Sequence, residues 1–232
     1  LAPAVLRPMD GWGWYLFLAV ALVPVLVPMG PAQTAILDPI NLIAIIIFLA
    51  HGIGAGKTIR IPFIVPALMI TVASLIATFN AVSPSASLLT LGQDAYLFLW
   101  FLMLVNVMRG REELTELPVA WVVVACVVAI LGVVLLVLQT HVFSLWRLIG
   151  PKGNRATGTF TNTNMLSSYL VLSLFLLLSL ERNVGRVFKW VSLGILGVGL
   201  LATKSNGGIV SFIAGLAVWA PLRSWIKHRS AL

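Results

Sequence analysis

The feature that most constrains this chain is a succession of apolar runs, each close to the length that carries a helix across a bilayer. Roughly 30 Å of hydrocarbon at about 1.5 Å of rise per residue calls for about 20 mostly apolar residues. Eight stretches come near that length, at about 14–30, 36–51, 61–79, 94–108, 118–139, 163–180, 188–203 and 207–222. Composition agrees: 60% of residues are hydrophobic and 9% charged, with a mean hydropathy of +1.05. A soluble domain of this size would have to expose large apolar patches to carry that composition. The expected fold is therefore all-α, a polytopic transmembrane helical bundle forming one domain over 1–232. The second and fourth runs are short and carry Asp38 and Asp94 near one end, a placement that suits a carboxylate at the water boundary.

Lysines and arginines test the count independently, because cytoplasmic loops hold the excess. With eight spans and both ends cytoplasmic, Arg7, Lys57, Arg60, Arg109, Arg111, Arg182, Arg186, Lys189, Arg223, Lys227 and Arg229 fall inside. Only Arg147, Lys152, Arg155 and Lys204 fall outside. Trp12, Trp14, Trp190, Trp219 and Trp225 stand near run ends, where amphipathic rings anchor at the headgroups. Pro24, Pro28, Pro39, Pro62 and Pro66 lie within or beside runs and predict kinked, closely packed helices. Small residues in the last two runs, among them Gly194, Gly197, Gly199, Gly208 and Gly215, predict close helix approach. The lone Cys126 lies inside an apolar run, so neither an intrachain disulfide nor a cysteine metal cluster can form. No small-residue cleavage site follows the first run, which is read as a retained helix.

The segment from His51 to Arg60, HGIGAGKTIR, ends like a phosphate-binding loop at Gly56, Lys57 and Thr58. The leading glycine is replaced by His51, and apolar spans rather than a strand and an amphipathic helix bound it. It is read as a glycine-rich turn with orienting cations; no nucleotide is expected.

One loop breaks the charge pattern. Between the fifth and sixth runs, an extracytoplasmic loop at 141–162 concentrates Arg147, Lys152 and Arg155 with no acidic residue nearby. An uncompensated cation cluster of this kind suits a phosphate or diphosphate headgroup. Its first part, HVFSLWRLIG, alternates apolar and polar positions and is expected as a short interfacial helix, with Phe143 and Trp146 dipping into lipid. GPKGN is then a turn. Gly158, Asn162 and Asn164 lead directly into the next apolar run, where asparagine oxygens and free N–H groups meet at a helix N-terminus. The residues alone support two readings equally: an anion site, or a capped helix start with solvated cations.

The run from Arg155 to Leu170, RATGTFTNTNMLSSYL, resembles the signature R-x-x-G-x-F-x-N-P-N of the O-antigen ligase and O-antigen polymerase superfamily, with Thr163 in place of its proline. About forty residues on, Thr203-Lys204-Ser205-Asn206-Gly207 is similar to a second family feature, T-x-S-R-G, with Asn206 where the arginine stands. The resemblance implies a polytopic glycosyltransferase at the outer face of the bacterial inner membrane. Its donor is a glycan on undecaprenyl diphosphate, and its acceptor is a lipid A core sugar, another glycan or a protein side chain. It implies no cofactor and no metal, and the partners it implies include membrane lipid but no nucleic acid.

Carried onto this chain, Arg155 becomes the catalytic residue that neutralises the diphosphate leaving group. Arg147, Lys152, Gly158, Asn162, Asn164, Lys204, Ser205 and Asn206 form the substrate-binding set around it. Family members continue into a large periplasmic loop bearing a further arginine or histidine, so the chain is expected to match the N-terminal portion of a longer enzyme. His141 is the one imidazole on the outer side, and a loop role suits it better than that of a base. A transporter and a non-catalytic relative are the alternatives; largely apolar mid-spans and the absence of repeated halves speak against the transporter.

Overall fold

A computed structural model describes residues 11–25, 35, 37–54, 59–108, 116–144, 147–160, 162–180 and 184–229. Among them eight helices follow in order: α1 (Gly11–Leu22), α2 (Leu37–Gly54), α3 (Ile64–Phe79), α4 (Pro84–Val107), α5 (Leu117–Leu138), α6 (Thr163–Ser179), α7 (Arg186–Ala202) and α8 (Asn206–Arg229). One hairpin of two short strands, β1 (Val142–Ser144) and β2 (Arg147–Ile149), stands between α5 and α6. Three helices are long and apolar enough to cross a membrane: α4, α5 and the Asn206–Ser224 part of α8. The apolar stretches of α1, α2, α3 and α6 are shorter.

Three expectations are corrected. α4 starts ten residues before the expected run (94 − 84), so Asp94 stands in the middle of a helix rather than near its end. Pro84 suits a first turn, where no N–H is needed. Within the polar start PSASLLT, the hydroxyls of Ser87 and Thr90 donate back to the carbonyls of Ser83 and Ala86, at 3.2 and 3.0 Å, so the helix itself satisfies them. Second, the expected interfacial helix is an antiparallel hairpin, with Val142 opposite Ile149, Phe143 opposite Leu148 and Ser144 opposite Arg147. The polar side chains of this stretch, His141, Ser144 and Arg147, fall at every third position with apolar pairs between them, a pattern that specifies neither period, and cross-strand pairing decided the outcome. The side chain of Phe143 and all of Trp146 lie outside the described residues. Third, the prolines do not kink helices. Pro39 and Pro66 occupy first turns, and Pro24 and Pro62 lie in turns, positions that cost no ladder bond; Pro28 lies outside the described residues. The helix that does carry an interior proline is α8, at Pro221.

The chain divides into two compact units, one of residues 1–28 and 115–232, the other of 29–114. In the first, α5, α6 and α7 enclose a core that includes Val122, Ala125, Leu166, Leu170, Leu174 and Leu196. α1 packs on α5, and α8 packs mainly on α6. Glycines mark the closest approaches. A Cβ on Gly199 would stand 2.8 Å from that of Ala129, and one on Gly208 would stand 2.6 Å from that of Ser167. Close packing of this sort associates helices in lipid, where burial of apolar surface supplies no drive. The indole N–H of Trp121 donates to the Ser173 hydroxyl at 2.9 Å, adding a polar tie between α5 and α6.

In the second unit, α3 and α4 form a helical hairpin through Asn80–Ser83, and α2 packs on α4. Polar bonds tie it: the Tyr96 hydroxyl donates to the Asp38 carboxylate at 3.0 Å, and the Asn106 amide pairs with both the N–H and the carbonyl of Arg60, at 2.9 and 2.8 Å. The glycine-rich segment begins inside α2, whose last residues are His51–Gly54, and not after a strand, contrary to what a phosphate-binding loop requires; Ala55–Thr58 lie outside the described residues.

Candidate functional site

The site is assembled by the tract between β2 and α6, which folds back onto the helices of the first unit. Past the hairpin, the Lys152 N–H donates to the Arg155 carbonyl at 3.1 Å, closing a turn in which Gly153 takes φ +57. The Ala156 N–H then donates to the Ala202 carbonyl at 2.9 Å, joining the tract to the end of α7. The Thr157 hydroxyl bonds the Gly150 carbonyl at 2.6 Å, and that of Thr159 bonds the Pro24 carbonyl at 2.5 Å.

Gly158 shows why the tract can sink so far. It adopts φ +56, and a Cβ there would stand 3.2 Å from the Val128 side chain. From the other side, a Cβ on Gly132 would stand 3.2 Å from the Gly158 nitrogen. Glycine facing glycine lets loop backbone lie against helix backbone. α5 continues from Gly132 to Leu138, six residues or roughly 9 Å of helix beyond that contact. The tract is therefore recessed below the end of α5.

At the close of the tract, Asn162 caps α6, its side-chain oxygen accepting the Asn164 N–H at 2.8 Å. Ser205 performs the same task for α8, accepting the Gly208 N–H at 3.3 Å. Its hydroxyl also donates to the Asn164 side-chain oxygen at 3.0 Å, so the two helix starts share one hydrogen bond across 41 residues of sequence. Thr203, fully buried, caps α7; its hydroxyl donates to the Leu200 carbonyl at 2.7 Å and accepts the Ser205 N–H at 3.2 Å.

Arg155 closes the junction: its Nε donates to the Thr203 carbonyl at 3.0 Å, spanning 48 residues. The guanidinium, half-buried, thus lies at the carbonyl end of α7 and near the N–H ends of α6 and α8. Held through Nε, it keeps its two terminal amino groups for other partners. Lys152 and Lys204 are both exposed, the latter in a left-handed conformation with φ +49. Among the described residues of this unit the sole carboxylate is Glu116, at the opposite end of α5, so these cations lack an acidic partner.

The structure thus brings Arg155, Asn162, Asn164, Lys204, Ser205 and Asn206 to one junction, with Gly158 buried beneath it as the hinge of the tract. Asn206 is the exposed first residue of α8. Asn162 and Ser205 are engaged in capping, and Asn164 in the tie between the caps. Arg147 stands apart in β2, opposite Ser144, with its side chain outside the described residues. His141 packs its exposed ring against Gly150 at the base of the hairpin.

No protein-family model, curated protein or solved structure matches the chain. What the site can do rests on its geometry.

Two contributors escaped sequence reasoning. Gly132 is the one glycine within the aliphatic run of α5, an interruption that could have marked a backbone contact. The Pro24 carbonyl, which anchors Thr159 across 135 residues, left no signal in the sequence. Among the described residues the junction contains no carboxylate or imidazole; the groups it presents are a guanidinium, an ammonium and backbone N–H groups, which suit charge neutralisation.

Proposed function

We propose that this chain is the lipid-diphosphate-binding part of a bacterial inner-membrane glycosyltransferase of the O-antigen ligase and polymerase type. It would bind undecaprenyl-diphosphate-linked glycan at the outer face, with eight spans and both ends cytoplasmic. The observation that carries this reading is the bond from Arg155 to the Thr203 carbonyl. It unites the two segments that resemble the family's motifs, at a point where two helix N-termini converge and, among the described residues, no carboxylate competes for the cations. Arg155 neutralises the diphosphate as the glycosidic bond breaks. Lys152 and Lys204 add charge from the exposed rim, and Asn162, Asn164 and Ser205 hold the loop in shape. The acceptor oxygen bonds to the anomeric carbon with inversion as the bond from that carbon to the diphosphate oxygen breaks; undecaprenyl diphosphate leaves, and the acceptor's proton passes to solvent water.

A second reading has its own support: Arg155 is the partner of the terminal carbonyls of α7, a stabilising place for a cation whatever binds nearby. Binding of undecaprenyl diphosphate to the purified chain separates the two. On the glycosyltransferase reading, Arg155→Ala loses binding at least about a hundredfold, the worth of two to three kcal/mol for charge-assisted bonds. The Lys152→Ala, Arg147→Ala double variant loses less. Equal binding in all variants, with a lowered melting temperature in Arg155→Ala, establishes the second reading instead.

A further inference from the structure

α4 is one of the three helices long and apolar enough to cross a membrane, and it carries a carboxylate in its middle. Asp94 stands ten residues past Pro84 and thirteen before Val107, roughly 15 and 20 Å of helix. When α4 crosses about 30 Å of hydrocarbon, neither headgroup layer is within reach of a side chain as short as aspartate's.

The side chain of Asp94 is exposed, and among the described residues no hydrogen bond or ion pair engages it. Tyr96, whose hydroxyl donates to the Asp38 carboxylate at 3.0 Å, marks the side of α4 that α2 covers. Asp94 precedes it by two residues, about 200° around the helix, and so faces away from α2. α3 also packs on α4, and it contains no charged residue. Thr90 and Leu97, one turn before and one turn after Asp94, are exposed on the same face. The Thr90 hydroxyl is already spent on the Ala86 carbonyl, at 3.0 Å, so Asp94 is the group on this face that lacks a partner among the described residues.

A lone charge facing hydrocarbon is costly, and ionisable groups within spans pair with groups of opposite sign. The eight apolar runs offer no cation at this depth: their single lysine or arginine, Lys189, stands at the start of its run. A second copy of the chain therefore cannot neutralise Asp94.

We propose that the face of α4 around Asp94 docks a transmembrane helix, outside the eight described here, that carries a lysine or arginine at mid-depth and pairs it with Asp94. Charge complementarity selects this occupant, and Thr90 and Leu97 flank the pair.

The probe is a synthetic leucine–alanine helix of about 20 residues, dansyl-labelled, with one central lysine. Its association with the chain in lipid vesicles is read by energy transfer from the tryptophans. The chain is expected to bind the lysine helix at least about tenfold more tightly than the same helix with leucine at that position. Asp94→Asn, at an exposed position without a partner among the described residues, folds as the parent does and loses the preference; Asp94→Glu keeps it. Equal affinity of the parent for the two helices, or a preference that survives in Asp94→Asn, overturns the proposal. A second measurement tests the depth. In nanodiscs and in a Cys126→Ala background, Asp94→Cys should resist a membrane-impermeant maleimide, whereas Val82→Cys, fully exposed in the turn before α4, reacts. Equal labelling at the two positions places Asp94 in water and overturns the proposal as well.

Discussion

The two units are built from the same kind of apolar helix but are held together by different means. In the unit containing α5, α6 and α7, glycines and alanines bring helix backbones together, and an irregular tract is pinned by hydrogen bonds to the end of α7 and to the turn after α1. In the unit of α2, α3 and α4, contacts are sparser: α3 has no buried residue, and polar pairs such as Tyr96 with Asp38 tie neighbours together. Irregular backbone survives only where its polar groups find partners. The first unit supplies them, and it is there that a recessed loop with cations is found.

The sharpest way to break this comparison is to add one methyl group to each unit. Gly208→Ala places a Cβ 2.6 Å from that of Ser167, which forces α8 away from α6; a loss of about 1–3 kcal/mol is expected on thermal unfolding in detergent. Gly92→Ala, midway along α4 with nothing within 4 Å, should instead gain up to about 1 kcal/mol from helix propensity. Equal responses would show that the units do not differ in packing.

A smaller effect is expected at the shared cap. Ser205→Ala removes the cap of α8 and the bond to Asn164 together, at a cost of about 1–2 kcal/mol. Hydrogen exchange should then rise at the first turns of α6 and α8 and stay unchanged in α3 and α4. Protection that falls evenly over all helices would argue against a local junction.

The smallest effect belongs to Tyr169, which lies between the rings of Trp121 and Phe160, each at 5.3 Å. Among the described residues its buried hydroxyl has no hydrogen-bond partner. Removing it in Tyr169→Phe should change stability by no more than about 0.5 kcal/mol, or raise it, because an unsatisfied buried hydroxyl carries a desolvation cost. A loss above about 1 kcal/mol would reveal a partner for that oxygen.

By itself the sequence determined where most helices lie, since apolar length and terminal signals are local properties. Seven of the eight expected runs coincide with helices to within a few residues at their starts. It also marked Asn162 as the start of α6 and GPKGN as a turn, because capping and turn chemistry act over a few residues. Locality likewise explains the errors: hydropathy cut α4 short at its hydroxyl-rich start, and the apolar pairs between α5 and α6 fitted both a helix and a strand. Only the tertiary structure decided that Arg155 would meet Thr203 and that Asn164 would meet Ser205. Each of these bonds spans more than forty residues and joins segments that only the packing of separate helices brings together, which no local pattern encodes.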